Sequence, residues 1–156
     1  MNYNSLRCCP CLMDIGDSTP NYLTSKVTNI QAVSPNGFIV YGPYIDACGM
    51  HISHQENSED FFLQGGQTYK VSYTVNGSVV DSTDGMHFAL IVNNVVTETG
   101  IDCQNLSYNS GWAEGYVVVP TGQTYTIKIK NTGQSNIMNI KSFVSISQVT
   151  NNSSIL

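Results

Sequence analysis

The sequence predicts an all-β domain, a jelly-roll sandwich of about 8–10 antiparallel strands with an extended N-terminal arm. Three observations predict it. Short runs in which apolar and polar residues alternate recur through most of the chain, the pattern of strands with one buried and one wet face. Gly, Asn, Pro or Asp bounds each run, as turns require. No segment carries the periodicity of a helix of ten residues or more. Roughly 130 residues of short strands suit two packed sheets, of which the jelly roll is a common large form.

Residues 1–24 hold Pro10, Gly16, Asp17, Ser18 and Pro20 without clear periodicity, and they read as an arm outside the core. Residues 25–150 read as the jelly-roll domain and 151–156 as a C-terminal tail. Within the domain, strands are expected over 27–33, 38–41 and 50–53. The clearest run is 68–76, where Tyr69, Val71, Tyr73 and Val75 alternate with polar residues between the turns Gly65-Gly66 and Asn76-Gly77. Residues 86–92 and 95–97 flank Asn93-Asn94 and read as a hairpin. Residues 117–119 and 125–130 flank Pro120-Thr121-Gly122, with Tyr125, Ile127 and Ile129 in period two. Residues 137–149 close the domain, with Ile140, Phe143 and Ile146 among their apolar positions.

Composition excludes several function classes. Only 11% of residues are charged, against roughly 25% in ordinary soluble domains. A surface made of amides and hydroxyls hydrates without strong repulsion, which favours packed assembly. Net charge is −5 and the six Lys and Arg are scattered, so no basic patch is available to neutralise phosphates of a nucleic acid. No apolar run approaches the length that spans a bilayer. The start, Met-Asn-Tyr-Asn-Ser-Leu-Arg, lacks the pattern of a secretory signal.

The five cysteines are Cys8, Cys9, Cys11, Cys48 and Cys103. An odd number implies a free thiol or a bond between chains. Cytosolic proteins rarely accumulate cysteines for disulfides, so the composition points to a protein later exposed to oxidants.

The stretch from His51 to Asn76 contains His-Ile-Ser-His, Phe61-Phe62-Leu63, Gly66-Gln67-Thr68-Tyr69 and Val71-Ser72-Tyr73-Thr74-Val75-Asn76. It resembles the C-terminal domain of the collagen-like exosporium glycoproteins of spore-forming bacteria. Phe88 to Asn93, Val119-Pro120-Thr121-Gly122, Asn131-Thr132-Gly133 and Val144-Ser145-Ile146 look like the same family's later strands and turns. The similarity covers roughly residues 26–150. It implies a jelly roll like that of tumour necrosis factor and the complement globular heads, which usually trimerises. The chain departs from the family in having no collagen repeat. Its start, Leu6-Arg7-Cys8-Cys9-Pro10-Cys11, is instead similar to the N-terminal connector of endospore-appendage fibre subunits, whose arms form disulfides with neighbouring subunits.

That resemblance implies intermolecular disulfides from Cys8 and Cys9, with Cys11 closer than the connector's usual third cysteine, and with Cys48 and Cys103 as candidate partners. It further implies a location on the spore surface, in exosporium, coat or appendage. The expected function is a self-assembling fibre subunit, and the alternative is a discrete trimeric exosporium or fibre-tip protein that binds a surface or receptor. The partners expected are copies of the chain itself and other spore-surface proteins, with no nucleic acid and no membrane.

Other chemistries were weighed on the residues alone. Cys8 and Cys11 form a Cys-x-x-Cys, but Pro10 intervenes and no helix pattern follows to stabilise a thiolate, so thiol–disulfide catalysis is outweighed by crosslinking. Structural zinc takes two separated ligand pairs, and only one cluster exists. His51 and His54, near Glu56, Glu59 and Asp60, suggest a metal site only if a strand ends between them, and a polar loop is the simpler reading. His87 reads as a surface or satisfied interior histidine within a strand. No nucleophile elbow, phosphate loop or dinucleotide fingerprint occurs, so neither an enzyme nor a cofactor is expected. Trp112, read in a loop-like setting near Tyr108 and Tyr116, is a candidate contact for a sugar or a neighbouring subunit, with core capping as the alternative.

Overall fold

The computed structural model describes residues 21–80, 84–104 and 108–149, and these form an all-β two-sheet sandwich. The strands are β1 (Tyr22–Lys26), β2 (Tyr44–Cys48), β3 (Ile52–His54), β4 (Phe61–Gln64), β5 (Gln67–Val79), β6 (Met86–Val92), β7 (Val95–Cys103), β8 (Tyr108–Val119), β9 (Thr124–Asn131) and β10 (Ile137–Gln148). Sheet A has the order β2-β1-β10-β5-β8, and sheet B has the order β3-β4-β9-β6-β7. All pairings are antiparallel. Among the connections between these strands, only β1–β2, β3–β4 and β6–β7 stay within one sheet; the rest cross between sheets, as a jelly roll requires.

Alternation builds the core. Tyr69, Val71, Tyr73 and Val75 of β5 point inward and meet Phe88 and Leu90 of β6, Ile127 and Ile129 of β9, and Val144 and Ile146 of β10. Sheets packed face to face in this way interdigitate their inner side chains and remove apolar surface from water. The buried tyrosines keep their hydroxyls satisfied. Ser142 Oγ donates to Thr74 O at 2.6 Å, so the Tyr41 hydroxyl, 2.7 Å away, donates to Ser142. Tyr73 donates to Thr99 O at 3.0 Å, which ties the two sheets together. Burial pushes the Tyr41 and Tyr73 hydroxyls far above their ordinary pKa, and both stay protonated.

The expected strands over 68–76, 86–92, 125–130 and 137–149 correspond to β5, β6, β9 and β10, and β5 is longer than its pattern suggests. The hairpin at Asn93-Asn94 joins β6 to β7 with Val92 opposite Val95. Both asparagines are left-handed, with φ of 47° and 65°, the twist a two-residue hairpin needs. Three expectations are corrected. Residues 27–33 are not a strand; β1 lies just before them, and Val33 contributes only a bridge to Ile137. Residues 38–41 contribute bridges from Phe38 and Tyr41 instead of a strand. Residues 117–119 are only the end of β8, which begins at Tyr108. Strand β1 also starts at Tyr22, inside the stretch assigned to the arm; residues 1–20 and 150–156 lie outside the described residues.

Candidate assembly surface

Strand β8 places its functional side chains by parity. Asn109, Ala113, Val117 and Val119 turn inward, so Tyr108, Trp112, Glu114, Tyr116 and Val118 stand on the outer face of sheet A. Trp112 is 64% exposed, Tyr116 65% and Val118 67%. Trp112 lies opposite Thr74 of β5, which lies opposite Phe143 of β10, itself 41% exposed and opposite Lys26 of β1. Between these aromatics the face carries hydroxyls: Thr68, Ser72, Ser145 and Thr24. It also carries the ion pair Lys70 to Glu114 at 3.7 Å, both partly exposed, and the lysines Lys26 and Lys141. The result is a face of hydroxyls and a few charges on which large aromatic side chains stand open to water.

Two glycines explain why this part of β8 does not read as a strand. A Cβ at Gly111 would lie 2.1 Å from Ile101 Cγ2, and one at Gly115 would lie 2.1 Å from Thr99 Oγ1. The missing side chains let β7 of sheet B close against β8. Trp112 is therefore corrected from a loop to the middle of a strand, and its exposure overturns the core-capping alternative.

The other candidate residues are not gathered there. Cys8, Cys9 and Cys11 lie outside the described residues. Cys48 ends β2, buried and disulfide-bonded. Cys103 ends β7 as a free thiol 3.7 Å from Ser110 O, and burial with the nearby Asp102 carboxylate pushes its pKa up, away from a reactive thiolate. His51 and His54 part company. The polar-loop reading is corrected for His54, which belongs to β3, stacks on Phe61 at 4.2 Å and sets its ring nitrogens against Asp60 O and Gly42 O. His51 Nδ1 accepts from Asn21 Nδ2 at 3.2 Å. Among the described residues no group of three His, Cys, Asp or Glu is placed to hold a metal ion.

His87, expected as a surface or satisfied interior histidine within a strand, lies in β6 with both ring nitrogens against carboxylates. It stands on the outer face of sheet B, its Nδ1 2.7 Å from Asp102 Oδ1 and its Nε2 2.9 Å from Asp84 Oδ1. Asp84 also accepts from Gln134 N at 2.7 Å, so this cluster joins β6, β7 and the β9–β10 loop. The hydrogen bond to Asp102 leads in pushing the His87 pKa up, and the Gln134 hydrogen bond leads in pulling that of Asp84 down.

No family model and no curated protein matches the chain. Solved structures do. Murine APRIL at pH 5.0 is similar with a TM-score of 0.64 and 14% identity, over 83% of this chain and 99% of that one. The globular domain of zebrafish complement 1qA gives 0.62 and 6%, over 85% and 99%. Eiger TNF from S. frugiperda gives 0.58 and 11%, over 88% and 99%. At these identities the likeness concerns the fold, and the chain has the jelly roll of these tumour-necrosis-factor-like and complement-like domains.

Proposed function

We propose that this chain is a non-catalytic, self-associating structural subunit whose copies meet through the outer face of sheet A. The observation that carries this reading is the exposed row Trp112, Tyr116 and Val118, continued by Phe143, on a face whose other residues are mostly hydroxyl-bearing. A few aromatic anchors supply much of the energy of an interface, and Trp112, Tyr116 and Phe143 stand here with their rings exposed. The jelly-roll fold supports a closed trimer as the unit.

In the finer reading, such units form a spore-surface fibre or appendage. The arm bearing Cys8, Cys9 and Cys11 crosslinks neighbouring subunits, which would hold an assembly of weakly charged surfaces against dissociation. The support for this part is the cysteine arm and its resemblance to appendage connectors. The alternative, a discrete trimeric tip protein, shares the same face and differs in what the arm holds.

Negative-stain microscopy of the recombinant protein, before and after reductant and denaturant, tests the fibre. Fibres that resist denaturant and come apart once reductant is added support it. Uniform small particles under both conditions support the tip protein. A monomer under all conditions contradicts both.

A further inference from the structure

The outer face of sheet B, on the opposite side of the sandwich, carries a cleft of about 360 Å³ lined by Asp60, Phe62, Asn93, Asn94, Thr126 and Lys128. Phe62 sits between Phe61 and Leu63, which both point into the core, so its ring stands on the outer face opposite Thr126. The Asn93-Asn94 turn forms one wall and is pinned in place. Asn93 N donates to Thr126 O, and Asn93 Oδ1 accepts from Thr126 N, each at 2.9 Å. The Asn94 amide and the Thr126 hydroxyl make no side-chain hydrogen bond among the described residues. Asp60 Oδ1 is buried from solvent and turned to the Lys128 ammonium, 3.2 Å away.

Charge and composition narrow what such a cleft takes. Lys128 is its cation, and it is held at 2.9 Å by Glu59 and at 3.2 Å by Asp60, which leaves the group with one surplus negative charge. Phosphates, sulfates and carboxylates are repelled by that balance. An apolar ligand would find one apolar side chain among six lining residues. A metal ion would find no cluster of three ligands. An extended peptide could not add to β4, which already has β3 on one side and β9 on the other. What remains is a neutral molecule with one apolar face and hydroxyls around its rim.

We propose that this cleft binds a neutral pyranose, with its C–H face stacked on Phe62 and its hydroxyls bonded by Asn94 and Thr126. An aromatic floor with a few convergent amide and hydroxyl groups is the combination that orients such a ring. Because the cleft lies on the face opposite Trp112, the proposal does not depend on how copies of the chain assemble.

The test is a set of titrations of the isotope-labelled full chain with the methyl pyranosides of glucose, galactose, mannose and N-acetylglucosamine, each alone, followed by amide chemical shifts. At least one is expected to move Phe62, Asn94 and Thr126 together, with a Kd of about 1 mM, the range ordinary ligand efficiency gives about a dozen heavy atoms. Phe62→Leu keeps the apolar bulk and removes the ring, so it should weaken binding about tenfold while the remaining spectrum stays unchanged. Phe62→Tyr should retain it. No shift from any of the four sugars overturns the proposal. So do shifts centred on Trp112 and Tyr116, or equal binding by Phe62→Leu.

Discussion

The two outer faces of the sandwich obey the same alternation rule and end in opposite states. On sheet B the outward positions of β6 include Ala89 and Ile91, yet these are only 6% and 3% exposed. The charged groups Lys128 and His87 of that face are paired within the chain, Lys128 with Glu59 and Asp60, and His87 with Asp84 and Asp102. On sheet A the outward positions of β8 and β10 include Trp112, Tyr116, Val118 and Phe143, which remain open to water among polar neighbours such as Glu114, Lys141 and Ser145. A sheet that leaves Trp112, Tyr116 and Val118 uncovered gains from a partner, since each buried aromatic removes a large apolar area from water.

The comparison breaks most sharply at β8. Trp112→Thr combined with Tyr116→Thr keeps β-branched residues on the strand and removes both anchors. Two hot-spot residues at about 2 kcal/mol each predict a loss of self-association of roughly a thousandfold, read by analytical ultracentrifugation. The melting temperature should move little.

Gly111→Val is next in size and acts between the sheets. A side chain there collides with Ile101 and forces β7 away from β8. Overpacking of this kind costs about 2–3 kcal/mol and should lower the Tm by about 4–10 °C in calorimetry.

Lys128→Met sharpens the contrast from the other side. It removes the contact over the Phe38 ring, 4.8 Å from its centroid, and leaves Glu59 and Asp60 facing each other. Partly exposed pairs contribute little, so urea denaturation should register about 1 kcal/mol. Association should be unchanged, since this face lies away from the assembly surface.

The smallest effect is the pH dependence from His87. Its folded pKa is raised above the ordinary 6.5, chiefly by the Asp102 hydrogen bond, so the stability it contributes is fully present below 6.5 and is lost as pH rises through the folded value. Asp84 is lowered from 3.8, so its contribution is present above that value and lost as pH falls through the lowered one. Between these limits the cluster is intact. Thermal melts at about pH 5.5 and 8.5 should show a wild-type advantage over His87→Gln that shrinks at the higher pH.

The fold was legible where one face is buried and the other wet. Tyr69 to Val75 and Tyr125 to Ile129 carry strict alternation, and the structure makes strands of both. Legibility failed where a strand's composition answers to a neighbour outside its own sheet. Gly111 and Gly115 read as loop residues, although they are needed for β7 to close on β8. Strand β2 escaped notice because Tyr44, Ile45 and Asp46 are all exposed, so no alternation marks it. For the candidate surface, Trp112 was visible in the sequence with Tyr108 and Tyr116 nearby, but in a loop-like setting. Its grouping with Phe143 through Thr74 depends on the register of three strands, which no local pattern encodes.

The central claim is that the outer face of sheet A is an interface between copies. Its most direct test is the molar mass of the full chain in reductant, measured by light scattering after size exclusion, beside the Trp112→Thr, Tyr116→Thr variant. Reductant removes the cysteines from the question and leaves the face alone. The account predicts a trimer for the natural sequence and a folded monomer for the variant. A monomeric natural protein, or a variant that assembles as well as its parent, would contradict it.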